Sequence, residues 1–474
     1  MFKTYIMLRY LAWLPLLVIT HLVQSQVRYT LSYTDSSKQK VSIRIQPATP
    51  LRTPVELVMP RSIPGAYNIL KYDYFIEQPR ATGSNGKPYP LQKNTNDAPR
   101  WLCTDTGISI SSISYEVNLY KMERQLSTPT DASIIRTGFA GLLNYSVFGW
   151  IDGTEQQPVQ CTIETFSSWP IFSTLVPSEK TAIGTMQFTA DNYYTLADGQ
   201  TFIGPAFRVK QYKAAVPLYI AAYSQGSQEY LDDYAWQEAT SMDILKEYIG
   251  ELPFKHYSLM LRCAVPPEPD HAGGLAMEHL ASSTFFNDTS FLRTAPLKEQ
   301  ERWQTLPTYL HHMAHAYIPL RCYGDAYRPQ VMEIAPIINN IWFNEGFMWY
   351  IVYDTLKFER MLRTFEVHTY QASPVIKKLS LQQLSQTAST QYGEDFRLGR
   401  ATYSRGALLA KELNDYVKQQ TNGKKTIKDI YRYLYQWSLK NKRAFTMEEF
   451  PGLLQAATGV DVSGIYKKWQ SAIE

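Results

Sequence analysis

The sequence is poor in net charge and in cysteine, and it contains no internal repeat and no low-complexity tract. A formal charge of +4 spread over 474 residues forms no basic stripe, so nucleic acid is not an expected partner. A hydrophobic content of 45% excludes a disordered chain and indicates a folded globular protein. At this length two or three domains are expected, because a single core rarely serves so long a chain.

Long apolar runs are absent after the N-terminus, so no later segment is predicted to span a membrane. Residues 1–25 have a basic start with Lys3 and Arg9, an apolar centre and a small-residue end, which predicts a cleaved signal peptide. The alternative is a membrane anchor, but Pro15 and His21 interrupt the apolar stretch, which is short for a bilayer. We therefore expect an exported protein, periplasmic or extracellular, with no integral membrane segment after cleavage.

The expected mature chain has four cysteines, which are Cys103, Cys161, Cys263 and Cys322. An oxidising compartment permits disulfides, and four cysteines allow three pairings that the sequence does not distinguish. Pairs within each half, Cys103 with Cys161 and Cys263 with Cys322, have the easier geometry, and free buried thiols are the alternative. The spacing contains no C-x-x-C metal signature.

Two regions with different hydrophobic periodicity follow the predicted signal peptide. From residue 26 to about 190, apolar and polar residues alternate, as in residues 41–45, with turn-forming stretches between. From 191 to 474 the pattern changes, with a β-containing part to about 300 and helical spacing of apolar residues over 301–474. The predicted fold class is α+β multidomain, with an N-terminal antiparallel β-sandwich-like domain and a mainly helical C-terminal part.

Three of the eight histidines lie within residues 311–315. Apolar residues at helical spacing surround them, so the cluster is predicted to lie on an amphipathic helix. On a helix, His311 and His315 share one face a turn apart, where both imidazoles can bind one Zn²⁺ ion. Glu345, at the start of another apolar helical stretch, is the candidate third ligand. The alternative interpretations are satisfied imidazoles and an acidic residue that stabilises a helix N-terminus.

Four segments, taken in order, resemble motifs of the glycyl aminopeptidase family of zinc metallopeptidases. The family motifs are M-P-x-W-x-P-G-x-Y, a glycine–asparagine segment, G-G-L-E-H and Y-x-K-G. The corresponding residues are 59–67 (MPRSIPGAY), 141–146 (GLLNYS), 273–279 (GGLAMEH) and 403–406 (YSRG). Each match alone is weak, but their order and spacing together are specific. The resemblance covers nearly all of the expected mature chain.

The resemblance implies a gluzincin-type protein, with a β-rich N-terminal domain followed by a thermolysin-like catalytic domain. It implies that His311, His315 and Glu345 hold zinc. It also implies that Glu278 holds the free α-amine of a substrate and that Tyr403 donates a hydrogen bond to the tetrahedral intermediate. The expected cofactor is therefore Zn²⁺, and the expected partner is a peptide or protein with a free N-terminus.

The sequence departs from the family in two respects. The family usually carries a C-terminal PDZ domain, and none is expected in the sequence that ends at Glu474. The second position of the H-E-x-x-H motif is His312 instead of glutamate. In such enzymes the glutamate accepts a proton from metal-bound water, and like charge near Zn²⁺ disfavours the same task for an imidazole. His312 is interpreted as an inert or weak base, with a substitute catalytic base and an additional metal ligand as the alternatives.

The sequence thus predicts an exported zinc metallopeptidase-like protein of aminopeptidase type, with weak or no peptidase activity. The loss of a general base typically costs about 10²–10⁴ in rate. One alternative is a pseudopeptidase that binds peptide N-termini without cutting them. The other is a cell-envelope scaffold whose catalytic domain is vestigial.

Overall fold

The computed structural model of the chain describes residues 26–126, 131–225, 230–268, 273–291, 293 and 295–473. The predicted signal peptide, residues 1–25, lies outside the described residues. Within the described ranges, no helix combines the length and the apolar character that a bilayer crossing requires.

The N-terminal part consists mainly of β-strands. The strands are β1 (Val27–Tyr33), β2 (Lys40–Gln46), β3 (Leu51–Arg52), β4 (Val55–Val58), β5 (Ile76–Gly83), β6 (Pro88–Pro90), β7 (Gln92–Lys93), β8 (Arg100–Cys103), β9 (Ser109–Asn118), β10 (Ile134–Arg136), β11 (Phe139–Leu143), β12 (Trp150–Ile151), β13 (Val159–Thr165), β14 (Pro170–Ser173), β15 (Ala182–Ile183), β16 (Thr185–Ala190) and β17 (Gln200–Ile203). Short helices between them are α1 (Leu119–Gln125), α2 (Asn144–Val147) and α3 (Tyr193–Ala197).

These strands form three sheets around one core. The largest sheet has the order β16-β13-β1-β2-β9-β5-β6, with β3 also paired to β9, and the others have the orders β10-β11-β17-β14-β15 and β12-β4-β8-β7. Most neighbours are antiparallel, while β1 and β13 run parallel. Leu31, Leu57 and Leu142 come from different sheets and are fully buried in the same core. The predicted β-rich, sandwich-like N-terminal domain is confirmed.

The alternation seen in the sequence sets which side of each strand faces this core. In β1, Tyr29, Leu31 and Tyr33 are buried, whereas Thr30 and Ser32 between them are partly exposed. A period of two suits a strand with one buried face, because successive side chains point to opposite sides of a sheet.

The second part begins with a five-stranded sheet. Its strands are β18 (Phe207–Lys213), β19 (Pro217–Ser224), β20 (Tyr257–Ala264), β21 (Gly274–Glu278) and β22 (Ser282–Asp288), in the order β18-β19-β20-β22-β21. The central pairs β19–β20 and β20–β22 are parallel, and the edge strand β21 is antiparallel to β22. The sheet therefore presents β21 at one edge.

Helices make up most of the remaining chain. They are α4 (Leu231–Ile249), α5 (Glu299–Ala314), α6 (Phe347–Leu356), α7 (Glu359–Tyr370), α8 (Pro374–Lys378), α9 (Leu381–Gln391), α10 (Phe396–Gln420), α11 (Ile427–Asn441), α12 (Phe450–Thr458) and α13 (Ser463–Trp469). A π-helical turn, Trp342–Gly346, leads directly into α6. The mainly helical C-terminal part is as predicted, and it shares a second hydrophobic core with the five-stranded sheet.

The strand β17 connects the two parts of the chain. It pairs with β11 and β14, both of which belong to the N-terminal sheets. By its pairing, β17 belongs to the N-terminal sheets, which therefore include residues up to Ile203.

All four cysteines are buried, and none of them forms a disulfide with another. The two pairs with the easier geometry, Cys103 with Cys161 and Cys263 with Cys322, do not form, and the alternative of buried thiols holds. Burial raises the pKa of Cys161, and it raises that of Cys322 to about 12. Since the thiolate is the reactive form, these side chains are poor nucleophiles in the folded protein.

Two buried carboxylates differ in how their charge is compensated. Asp73 accepts hydrogen bonds from Arg61 Nε at 2.7 Å and from Lys93 Nζ at 2.7 Å. Glu238, in α4, accepts one from the Ser283 hydroxyl at 3.4 Å, and its other oxygen has no partner among the described residues. Burial raises the pKa of Glu238 well above its ordinary value. The first carboxylate is a paired ion, whereas the second favours its neutral form.

Candidate metal centre

Helix α5 positions the two candidate histidine ligands. Its buried face includes Leu310 and Met313, which pack into the second core. His311 lies in the last turn, and His315 follows the helix directly with helical φ and ψ of −61° and −20°. The i, i+4 relation of the two imidazoles is therefore kept, and the exposed fractions of His311 and His315 are only 3% and 1%. The predicted helix for the histidine cluster is confirmed.

The candidate third ligand, Glu345, lies on the π-helical turn before α6. Such turns are uncommon and often occur at functional sites. Gly346 comes next, and a Cβ placed there would stand 2.5 Å from the Cα of Gly406 in α10. The two backbones can approach so closely because neither Gly346 nor Gly406 has a side chain. This contact places the π-helical turn against α10, the helix that carries Tyr403.

The three predicted metal ligands converge. His311 Nε2 and His315 Nε2 are 3.1 Å apart, and Glu345 Oε2 lies 3.3 Å from the first and 3.4 Å from the second. Ligands at about 2.0–2.1 Å from a tetrahedral zinc ion are about 3.3–3.4 Å apart. The donor set and its separations therefore fit Zn²⁺, with a fourth position left to a ligand that these three residues do not supply.

The far sides of the two imidazoles differ. His315 Nδ1 lies 2.9 Å from the backbone oxygen of Ile318, which fixes the ring with its Nε2 towards His311 and Glu345. His311 Nδ1 is buried without a hydrogen-bond partner among the described residues, and the ring stacks on Trp349 at 4.1 Å. The ring of His311 is thus held by packing, and the ring of His315 is held by a hydrogen bond.

The electrostatics of the centre favour a cation. Burial and the neighbouring His315 lower the pKa of His311 to about 3. Burial alone would lower the pKa of His315, but the carboxylates of Glu278 and Glu345 raise it to about 9. Burial acts to raise the pKa of Glu345, yet His315 and His311 hold it well below its ordinary value. The carboxylates are thus ionised, and positive charge between them is stabilised.

Glu278 and His312 face each other next to this triad. Glu278 ends β21 and is 5% exposed, and its Oε2 lies 3.4 Å from His312 Nδ1. Its Oε1 is buried without a hydrogen-bond partner among the described residues. Glu278, His312 and His315 form a second group whose ligand atoms are close enough for a metal, but it shares His315 with the first. His312 therefore contacts Glu278 and does not belong to the triad that contains Glu345.

The strand end that carries Glu278 is fixed by the N-terminal part. Asp198, which follows α3, accepts a hydrogen bond from the backbone N–H of Leu280 at 2.9 Å and lies 3.1 Å from His279 Nδ1. A cavity of about 160 Å³ lies beside Glu278, with Tyr194 and Met332 among its lining residues. Glu278 is thus a buried carboxylate at the wall of a cavity between the two parts.

Tyr403, in α10, lies among packed tyrosines near Glu345. Its ring stacks on Tyr392 at a centroid distance of 5.6 Å, and Tyr392 in turn contacts Tyr67 edge-on at 6.3 Å. Burial, and then the nearby Glu345 carboxylate, raise the pKa of Tyr403 well above its ordinary value, so the phenol keeps its proton. The structure thus brings Tyr403 within electrostatic reach of the predicted metal ligands.

One residue of the site was not predicted from the sequence. The hydroxyl of Tyr67, in the N-terminal part, donates a hydrogen bond to Glu345 Oε1 at 2.9 Å. Tyr67 is the last residue of the motif at residues 59–67 that resembles the family motif. The motif alone gave no reason to place Tyr67 next to residue 345.

Comparisons with known proteins agree with this architecture. Residues 28–205 match the Peptidase M61 N-terminal domain family. An aminopeptidase N family protein from Idiomarina loihiensis has a similar structure, with a TM-score of 0.78 and 18% identity, over 95% of this chain and 77% of that one. A mutant M1 zinc metallopeptidase from Deinococcus radiodurans, bound to a Tyr-Ser-Ala substrate, has a TM-score of 0.55 and 13% identity, over 94% and 93% of the two chains. Among curated proteins, none matches this sequence.

At these identities the structural similarity establishes the fold, and the domain match concerns the N-terminal part. Residues 28–205 are therefore similar to the Peptidase M61 N-terminal domain, and the chain as a whole has a fold similar to those of the two solved metallopeptidase-family structures.

Proposed function

We propose that this protein is an exported, zinc-binding member of the glycyl aminopeptidase family whose peptidase activity is weak or absent. The observation that carries the proposal is the convergence of His311, His315 and Glu345 at separations of 3.1–3.4 Å, which suit a tetrahedral zinc ion. The position next to the first ligand is His312, where the family has a glutamate.

Each of the site residues has a role in this proposal. His311, His315 and Glu345 would hold the metal. Bound zinc supplies a Lewis acid that polarises a peptide carbonyl and lowers the pKa of a water molecule. Glu278 would accept hydrogen bonds from the α-ammonium group of a peptide, since its Oε1 is buried and otherwise unpartnered. Tyr403 would donate a hydrogen bond to the developing negative charge on the carbonyl oxygen.

The cavity beside Glu278 supports an N-terminal mode of peptide binding. A carboxylate that anchors the α-ammonium group leaves the first side chain of the peptide close to it, and the cavity of about 160 Å³ offers room for that side chain. Ile63, Leu280 and Met332 give it apolar walls. The peptide complex of the related D. radiodurans protein is consistent with a peptide as the ligand.

His312 is the reason to expect little hydrolysis. A carboxylate at this position would accept the proton of the attacking water, and an imidazole brings no negative charge to the same place. Its Nδ1 faces Glu278 at 3.4 Å, so the imidazole contacts the carboxylate proposed to anchor the substrate. Removal of a general base costs about 10²–10⁴ in rate, which is roughly 2.7–5.5 kcal/mol of barrier.

A second candidate function is a pseudopeptidase that binds peptide N-termini and does not cut them. The unpartnered Glu278 Oε1 and the adjoining cavity serve binding whether or not the peptide bond is broken. This candidate differs from the first only in turnover. A scaffold with a vestigial site is less well supported, because a vestigial site has no reason to keep three ligands converged.

The test combines metal analysis with turnover of glycyl- and alanyl-anilide substrates. We expect the purified wild-type protein to contain one zinc ion per chain, with low or undetectable turnover. His312→Glu should raise kcat by orders of magnitude, and the neutral control His312→Gln should not. Zinc without turnover in His312→Glu supports the pseudopeptidase. A protein that cannot be loaded with zinc refutes both candidates.

Export is tested separately. The N-terminus of the mature protein, determined by mass spectrometry after expression of the full sequence in a secreting host, is expected at Gln26. Retention of residues 1–25 in a membrane fraction would support an anchor instead.

A further inference from the structure

A turn of the N-terminal part, residues 61–67, covers the candidate metal centre. It is held in place from outside, because the backbone N–H groups of Arg61 and Ser62 donate to the Met332 carbonyl at 2.7 and 2.9 Å. Gly65 and Tyr67 both have positive φ, 88° and 48°. Such backbone is costly for a side-chain-bearing residue, so its use at Tyr67 calls for an explanation in what the side chain does.

The explanation lies in the different partners of the two carboxylate oxygens of Glu345. Oε2 faces His311 and His315 at 3.3 and 3.4 Å, while Oε1 accepts the hydroxyl hydrogen bond of Tyr67 at 2.9 Å. We propose that Tyr67 is a positioning residue of the metal centre, because it occupies one carboxylate oxygen and so presents the other to the metal as a single ligand atom. This inference deepens the proposed function and depends on its metal site.

The burial of the pair makes the hydrogen bond matter. The exposed fractions of Tyr67 and Glu345 are 5% and 3%, so water does not readily replace the hydroxyl. If this buried, ionised oxygen loses its hydrogen-bond donor, it can turn towards the metal or stay unpaired. Either outcome would weaken the binding of the metal through a single oxygen of Glu345. Outer partners of metal ligands typically account for about 10–100-fold in metal affinity.

Gly65 of the same turn lies against the other carboxylate of the site. A Cβ at residue 65 would stand 3.1 Å from Cδ of Glu278 and closer still to its Oε1. The turn thus needs glycine both for its positive φ and for the space that Glu278 occupies. One short segment of the N-terminal part therefore meets both Glu278 and Glu345.

The experiment compares Tyr67→Phe with Tyr193→Phe by competitive titration of zinc against a chromophoric chelator. Each variant removes one buried hydroxyl and keeps the ring, but the Tyr193 hydroxyl donates to the backbone oxygen of Phe148 at 2.8 Å, in the N-terminal core. We expect Tyr67→Phe to weaken zinc binding about 10–100-fold, while Tyr193→Phe leaves the affinity as in the wild type.

Two further measurements separate positioning from a merely structural role. Thermal unfolding of the metal-free variants reports the loss of a buried hydrogen bond, which both should show. The absorption spectrum of the cobalt-substituted protein reports ligand geometry, and only Tyr67→Phe should change it. Wild-type zinc affinity and an unchanged cobalt spectrum in a folded Tyr67→Phe protein would overturn the assignment while leaving the proposed function intact. Failure of the wild type itself to bind zinc would overturn both.

Discussion

The close contact between Gly346 and Gly406 sets the position of Glu345, and Gly346→Ala tests that dependence. The new Cβ would lie 2.5 Å from the Cα and 2.6 Å from the carbonyl carbon of Gly406. Carbon atoms pack at about 3.5–4.0 Å, so the two backbones must separate by about 1 Å. Because both obstacles are backbone atoms, no side chain can rotate away to relieve the overlap.

The expected loss of stability follows from two opposing effects. Overpacking of a well-packed interior costs about 1–3 kcal/mol and occasionally more. Replacement of glycine by alanine in a helical segment returns up to about 1 kcal/mol. Because the obstacles are backbone atoms, the overpacking cost lies at the upper end of its range, and after subtraction of the return we expect the free energy of unfolding to fall by about 2 kcal/mol.

Gly452→Ala is the matched control, since residue 452 is also helical, in α12, and a Cβ there meets nothing within 4 Å. It should gain about 0.5–1 kcal/mol. Urea unfolding of the metal-free proteins measures both changes. A zinc titration should also show weaker binding in Gly346→Ala alone, because Glu345 moves with the turn. Equal stability and equal zinc affinity in the two variants would refute the reasoning.

The buried charges and the metal give three further predictions. Glu238→Gln should raise the stability at neutral pH, because folding raises the pKa of this carboxyl above its ordinary value of 4.5. Wild-type stability should therefore fall as pH rises from about 4.5 through the higher folded pKa, and urea unfolding across this range should show a slope that the variant lacks. Asp73→Asn should cost about 3–5 kcal/mol by urea unfolding, because it deprives Arg61 of its buried partner. Asp97→Asn, at the exposed partner of the same arginine, should change the stability far less because solvent screens that pair, and equal losses would contradict this. Finally, chelation should lower the midpoint of thermal unfolding in calorimetry, and added zinc should restore it, because the ion binds only the folded state. An unchanged midpoint would speak against zinc.

Much of the site was predictable because it depends on local spacing. Two histidines four residues apart must share a helix face, and their position on α5 follows from the apolar residues around them. The period-two alternation likewise predicted the β-rich N-terminal part. Glu345 was a candidate from its position at the start of a helical stretch, but only the resemblance to a family assigned it to the distant histidine pair.

The remaining features depend on contacts between distant segments. Tyr67 and Glu345 are separated by 278 positions, and no periodicity relates them. The presence of glycine at 346 and 406 does not reveal that these two backbone segments contact each other. The state of the cysteines depends on how far apart the folded chain holds them, and spacing along the sequence does not give that distance.

The four buried cysteines make the protein sensitive to oxidation when it unfolds. While the chain is folded, burial protects all four sulfurs from oxidants. In an oxidising compartment, a chain that unfolds even briefly exposes them together, and any bond they form then has no counterpart in the native arrangement. Recovery of the native fold after heat or urea should therefore be good with a reductant present and poor without one. In an oxidising compartment, the rate of unfolding would then govern the lifetime of the protein more than the free energy of unfolding does.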